Sequence, residues 1–186
     1  MSFTQFRKIH NEISEYVPYP WNLYECYLAT DYSGLITAIY YIDSEPLTFK
    51  EYNATKTWLP GYIETTWDLY DKEIEVNYIN STVKNKGIGT LLFCTAMQIA
   101  HQRGIQTIDL DDSSDRYRDH NNIYTKLGLF YVEEYGPEMS GYCSDVLQIW
   151  NSEIKPCMEK RTEPVKEQSV KEVEKEEVEK LAEIEQ

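Results

Sequence analysis

The sequence predicts an α+β domain, and three observations carry that prediction. Four strand-like runs rich in Tyr, Ile and Leu lie before residue 80. One long run of helical period follows Gly87. A strand-like run stands on each side of that helix, giving a strand–loop–helix–strand unit at the centre of the chain. A length of 186 residues suits one core with an appendage rather than two domains.

Phe3, Phe6, Ile9, Ile13 and Tyr16 recur at three- and four-residue steps, which predicts an opening helix over Phe3–Tyr16. Leu23–Ala29 and Leu35–Ile42 read as a hairpin around Asp31-Tyr32-Ser33-Gly34. Tyr62–Trp67 and Glu73–Ile79 are two further strands, split by Asp68-Leu69-Tyr70-Asp71. Ile88, Leu91, Leu92, Thr95, Ala96, Ile99 and Ala100 then mark a helix that Arg103-Gly104 terminates. Ile105–Leu110 is a short strand, Asn121–Leu127 a short helix stopped by Gly128, and Leu129–Tyr135 and Val146–Trp150 are closing strands. Near residue 154 the composition shifts to Glu, Lys and Val, with Pro164 blocking helix continuation. The expectation is one domain over residues 1–153 and a charged, partly helical or disordered tail over 154–186.

Composition narrows the function classes. The 32 acidic against 18 basic side chains leave a net charge of −14, unsuited to non-specific contact with nucleic acid. No apolar run reaches the roughly 18–20 residues of a membrane span, and the N-terminal segment lacks an apolar secretion core. Cys26, Cys94, Cys143 and Cys157 are far apart with no C-x-x-C, so reduced thiols, no metal site and a cytoplasmic location are expected.

The segment Lys84-Asn85-Lys86-Gly87-Ile88-Gly89-Thr90 joins a strand to a helix. Glycines at 87 and 89 keep side chains away from an incoming anion, and the helix start offers unpaired N–H groups and the positive end of its dipole. The loop therefore suits a phosphate or pyrophosphate. Neither a Walker loop nor a Rossmann fingerprint fits its spacing.

Lys84-Asn85-Lys86-Gly87-Ile88-Gly89 resembles the acetyl-coenzyme A signature Q/R-x-x-G-x-G/A of the GNAT superfamily of N-acetyltransferases, with Lys in place of Gln or Arg. Asn121-Asn122-Ile123-Tyr124-Thr125-Lys126-Leu127-Gly128-Leu129 is similar to that family's second block, with Tyr124, Lys126 and Gly128 in their mutual spacing and Leu129 where Phe is usual. The resemblance spans roughly residues 73–135. It implies an αβα-layered, mixed, centrally splayed sheet of about six to seven strands flanked by helices. It also implies acetyl-CoA as co-substrate, its pyrophosphate on the amides of Asn85, Lys86, Gly87, Ile88, Gly89 and Thr90. Lys84 and Lys86 would add charge, Asn121 a further contact, and the strand backbone at Tyr78 and Ile79 would pair with the pantetheine arm.

Acetyl transfer to a primary amine needs a proton acceptor, because an alkyl ammonium has a pKa of about 10.4, and an acid for the departing sulfur. The resemblance gives the acid to Tyr124. Glu73 and Glu75, expected on one strand face with Asn77 and Ile79, are candidates for the base. Asp109, Asp111, Asp112 and Asp115 would attract a cationic acceptor such as a polyamine, a protein lysine or an N-terminus. The implied activity is direct attack of the amine on the acetyl group. A catalytically inactive binding module of the same fold is the alternative, and a third reading gives the function to a protein-binding tail. A homodimer stays open.

Overall fold

The computed structural model describes residues 4–10, 13–16, 21–29, 34–83, 86–113 and 122–159. The chain divides into two compact units, Met1–Ile149 and Trp150–Gln186. The second unit contains a π-helical turn, Trp150–Ile154, and helical residues 155–159. The rest of the expected tail, like Phe3, Asp31 to Ser33, Lys84, Asn85, Asp115 and Asn121, lies outside the described residues.

The first unit carries β1 (Thr4–Lys8), β2 (Asn22–Ala29), β3 (Gly34–Ile42), α1 (Phe49–Thr55), β4 (Gly61–Asp68) and β5 (Glu73–Ser81). Then come α2 (Ile88–Gln102), β6 (Thr107–Asp111), α3 (Ile123–Lys126), β7 (Phe130–Tyr131), β8 (Glu138–Tyr142) and α4 (Cys143–Ile149). Eight strands form one sheet in the order β1-β2-β3-β4-β5-β6-β8-β7, antiparallel except for the parallel β5–β6 pair. The fold is a mixed α+β sheet with helices on both faces, with eight strands where the resemblance implies six to seven.

Three expected elements are corrected. The opening segment is not one helix: Thr4–Lys8 is an edge strand paired with β2, and a 3-10 turn follows at Ile13–Tyr16. The three- and four-residue spacing is helical, and pairing with the edge of β2 overrides it. Val146–Trp150 is not a strand: Val146 is buried on α4, and Cys143 at that helix's start places its Sγ 3.9 Å from Met97 Sδ of α2. The strand beside β6 is instead β8, whose residue types give no strand signal, and Leu129–Tyr135 shrinks to the two-residue β7. Helix α1 is a further element outside the expectation. Its sequence signal is a capping box formed by Thr48 and Glu51, with Glu51 N–H donating to Thr48 Oγ1 and Thr48 N–H to Glu51 Oε2 at 2.8 Å.

The sheet's two faces bury different material. Ile63, Thr65 and Trp67 of β4 and Ile74 of β5 are fully or almost fully buried on the α2 face. On the other face Cys26, Ala38, Tyr40, Tyr52, Leu59 and Tyr62 form a core beneath α1. The C-terminal end of α2 is tied down by charge. Glu25, wholly buried, accepts from Arg103 at 2.9 Å and from Arg7, while the Arg103 guanidinium lies 4.7 Å from the Trp67 ring centre. A carboxylate at that depth requires such partners.

The N-terminal end of α2 is fixed by steric fit. A Cβ at Gly61 would come within 2.6 Å of Ile88 Cγ2 and 3.2 Å of Leu92 Cδ1, so glycine lets the first turn of α2 lie against β4. Gly61→Ala is expected to cost about 1–3 kcal/mol of stability through overpacking. Urea unfolding measures it, and an unchanged midpoint would show that the helix start is not seated there.

Candidate coenzyme cleft

The cleft begins where two strands stop pairing. β5 and β6 pair in parallel only from Glu73↔Thr107 to Val76↔Leu110, and β5 then runs on through Ser81 with no strand on that side among the described residues. A register shift between Glu64 and Thr65 leaves Asn77 as an extra residue on β5. The bulge turns the strand and re-aims the side chains beyond it. Asn77 accepts from Thr66 Oγ1 at 3.0 Å, Tyr78 sits opposite Glu64, and Ile79 reaches the α2 side, where its Cδ1 is 3.9 Å from an ideal Cβ at Gly89. The expectation that Ile79 shares a face with Glu73, Glu75 and Asn77 is therefore corrected, because the bulge breaks the two-residue alternation.

The chain after β6 is anchored toward β7 and the start of β8 by a buried carboxylate. Asp112, 2% exposed, accepts from Asn122 Nδ2 and Tyr131 Oη, each at 2.5 Å, and its N–H donates to the Pro137 carbonyl. Asp112 thus serves the architecture and leaves the set of aspartates expected to face an acceptor. Asn122 in turn caps α3, its Oδ1 accepting from the Tyr124 N–H at 2.8 Å. This chain of contacts from Asp112 through Asn122 positions Tyr124. Sequence reasoning misses that positioning work for both residues, although Asn before a helical run is a readable cap.

On the α2 face a cavity of about 310 Å³ is lined by Ile79, Asn80 and Ser81 of β5, by Gly87 to Thr90 at the start of α2, and by Phe93 and Tyr124. Gly87 has φ of 75°, a left-handed conformation that favours glycine, and no side chain caps the helix. The first helical bond is Leu91 N–H to the Gly87 carbonyl at 2.9 Å. Among the described residues no hydrogen bond occupies the amides of Ile88, Gly89 or Thr90. An anion at that helix start would meet three N–H donors and the positive dipole end. Gly89 adds room, since only Ile79 Cδ1 lies within 4 Å of its ideal Cβ. Lys86 is exposed at the rim.

Tyr124, 9% exposed, packs its ring 5.8 Å from that of Phe93. Burial first, and then the negative charge of Asp112, push its hydroxyl up to about 12. It is a proton-bearing group throughout the neutral range.

On the opposite face a trough of about 610 Å³ is lined by Glu73, Glu75, Asn77, Tyr78, Asp109 and Asp111 among others. Burial, and then Asp109 beside it, raise the Glu73 carboxyl above its ordinary value. The structure thus separates the expected acid from the expected bases: Tyr124 lines one cavity, Glu73 and Glu75 the other, and both cavities border the free length of β5. Among the described residues no group of three His, Cys, Asp or Glu is placed to hold a metal ion, and no helix is long and apolar enough to cross a membrane.

The burial of Tyr124 sets a pH dependence. An unfolded tyrosine ionises near pH 10, and the folded value is raised, so its contribution to stability is complete below about pH 10 and is lost as pH climbs toward about 12. Tyr124→Phe is expected to make the fall in stability between those limits shallower; urea midpoints at pH 9 and pH 11 measure it, and an identical fall would contradict the burial of that hydroxyl.

No family model matches the chain, and no curated protein matches it. Among solved structures, the PaiA N-acetyltransferase of Thermoplasma acidophilum in complex with coenzyme A is similar at 17% identity and TM-score 0.42, over 57% of this chain; the chain spans 60% of that structure's length. An acetyltransferase of the GNAT family from Desulfovibrio desulfuricans is similar at 9% identity and TM-score 0.44, over 76% of this chain and 99% of its own length. The anti-CRISPR protein AcrVA5 is similar at 21% identity and TM-score 0.36, over 44% of this chain and 90% of its own. These overlays are loose, and what the cleft does is decided by its own residues.

Proposed function

We propose that the chain is an acetyl-CoA-dependent N-acetyltransferase of the GNAT type, moving the acetyl group to a primary amine by direct attack. One observation carries the reading: three amides at the start of α2, with no hydrogen bond among the described residues, open onto a cavity that ends at a length of β5 with no neighbouring strand among those residues. An anionic group and an amide-bearing arm need those two features side by side.

The residues fit the co-substrate. Ile88, Gly89 and Thr90 offer their amides to a pyrophosphate, with Lys86 adding charge; Lys84, Asn85 and Asn121 complete the proposed set. The backbone of Tyr78 and Ile79 offers strand-like pairing to the pantetheine amides. Acetyl-CoA supplies the acyl group in activated thioester form. Tyr124 holds the proton for the departing sulfur, its hydroxyl being neutral at pH 7. Glu73 and Glu75 line the acidic trough and would receive the ammonium proton, directly or through water. The raised carboxyl of Glu73 moves it toward the range in which a base is most effective. Four free cysteines suit a reducing compartment such as the cytoplasm. The acceptor is a small-molecule amine or a protein amine.

Two substitutions test the reading. Gly89→Glu places a carboxylate in the cavity with no backbone strain, so coenzyme binding measured by calorimetry should disappear while the fold remains. Retained micromolar affinity would exclude this loop as the pyrophosphate site. Tyr124→Phe should lower turnover by roughly 10²-fold, as loss of a general acid does, and leave coenzyme affinity unchanged; equal turnover removes Tyr124 from the chemistry. A chain that binds acetyl-CoA and releases no thiol with any amine is instead a binding module.

A further inference from the structure

An ammonium already sits beside the parted strands, and it belongs to the chain itself. Lys56, in the 3-10 turn Lys56–Trp58, directs its Nζ to Glu64 Oε1 at 2.6 Å. Three tyrosine rings surround the same Nζ, with centres 5.9 Å away for Tyr52, 5.9 Å for Tyr62 and 5.7 Å for Tyr78. The Tyr52 hydroxyl donates to that Glu64 oxygen at 2.9 Å, which orients the carboxylate. A carboxylate ringed by aromatic faces is a receptor for alkylammonium ions, because ring quadrupoles and a formal negative charge act on one cation. Tyr52 and Tyr62 are buried, so the receptor is built into the core beneath α1.

Its fourth wall is different. Tyr78 is 64% exposed and lines the acidic trough, and Lys56 retains 27% of its side-chain exposure. Tyr78 stands opposite Glu64 only because the Asn77 bulge shifts the register there. A bulge that turns a tyrosine out of the strand's inner face and onto a cation, next to the point where β6 leaves, serves more than packing. Glu64 is 14% exposed and would be costly to leave without a counter-charge. A tethered lysine supplies that charge while the seat is otherwise unused.

We propose that Tyr52, Tyr62, Tyr78 and Glu64 form the seat for the acceptor's ammonium, and that Lys56 is a built-in occupant which the acceptor displaces. The inference rests on the acetyl-transfer reading for the word acceptor, and it narrows the substrate to a primary amine on an unbranched alkyl arm. The lysine side chain that fills the seat has that shape. Because a tethered ammonium competes at an effective concentration of about millimolar, only ligands with further contacts, such as those along the trough, displace it well.

The first test needs no coenzyme. Lys56→Ala, checked for fold by circular dichroism, is titrated with n-propylammonium, the fragment that the substitution removes. Saturable binding is expected, absent in the unaltered chain, weakened at least tenfold by adding Glu64→Gln, and not given by n-propanol. A folded Lys56→Ala chain that does not bind overturns the seat. In turnover assays Lys56→Ala should lower KM for straight-chain primary amines about tenfold, the share of affinity lost to the tether. An unchanged KM overturns the acceptor role even where propylammonium binds. Should Lys56→Ala not fold, Lys56→Gln keeps most of the arm, removes the competing charge and should lower KM for the same amines about tenfold; no change overturns the proposal. If the unaltered chain turns over no amine while Lys56→Ala binds propylammonium, the acetyl-transfer reading and the acceptor role fall together and the ammonium seat stands.

Discussion

The structure turns on the loss of main-chain pairing after Val76. Backbone amides and carbonyls within a sheet find partners in the next strand, and a strand that loses its neighbour midway presents a row of groups that seek one. Here β5 continues five residues beyond its last pair with β6. Beyond β6 the buried Asp112, held by Asn122 and Tyr131, anchors the chain toward β7. The same contact caps α3 and sets Tyr124 beside the gap.

The parting gives the two faces of β5 separate tasks. The α2 face holds the glycine-bearing helix start, its outward amides and a largely apolar cavity. The opposite face holds carboxylates and the caged Lys56 ammonium. The bulge at Asn77 assigns residues to these faces, sending Ile79 to the first and Tyr78 to the second. An anionic ligand on one side and a cationic one on the other would be drawn to the same length of strand from opposite directions. The field of a chain with net charge −14 favours the second approach, so the anion must rely on local N–H groups and Lys86.

The strands β2 to β5 and helix α2 are legible in the sequence because each has a long, regular pattern with a clear stop, such as the run from Ile88 to Ala100 before Arg103-Gly104. The loop at Gly87 to Thr90 is legible because a strand, two glycines and a helix start have a direct electrostatic meaning together. Segments with short or double-valued patterns are not. Phe3–Tyr16 satisfies a helical spacing, yet Thr4–Lys8 is a strand and Ile13–Tyr16 a turn, since the edge of β2 offers that strand hydrogen-bond partners. Val146–Trp150 has strand-like residue types, yet Val146 is buried on a helix against α2.

What the sequence determined by itself was the local chemistry: which residues bring flexibility, charge or a proton, and which helix start lacks side chains. Only the tertiary structure decided which of these meet. A single inserted residue at Asn77 reverses the face of everything after it, and alternation along a strand carries no sign of such a shift. Lys56 and Glu64 are eight positions apart, and Tyr52, Tyr62 and Tyr78 are scattered among 16 tyrosines. Their convergence on one ammonium is set by strand register, which depends on contacts across the sheet.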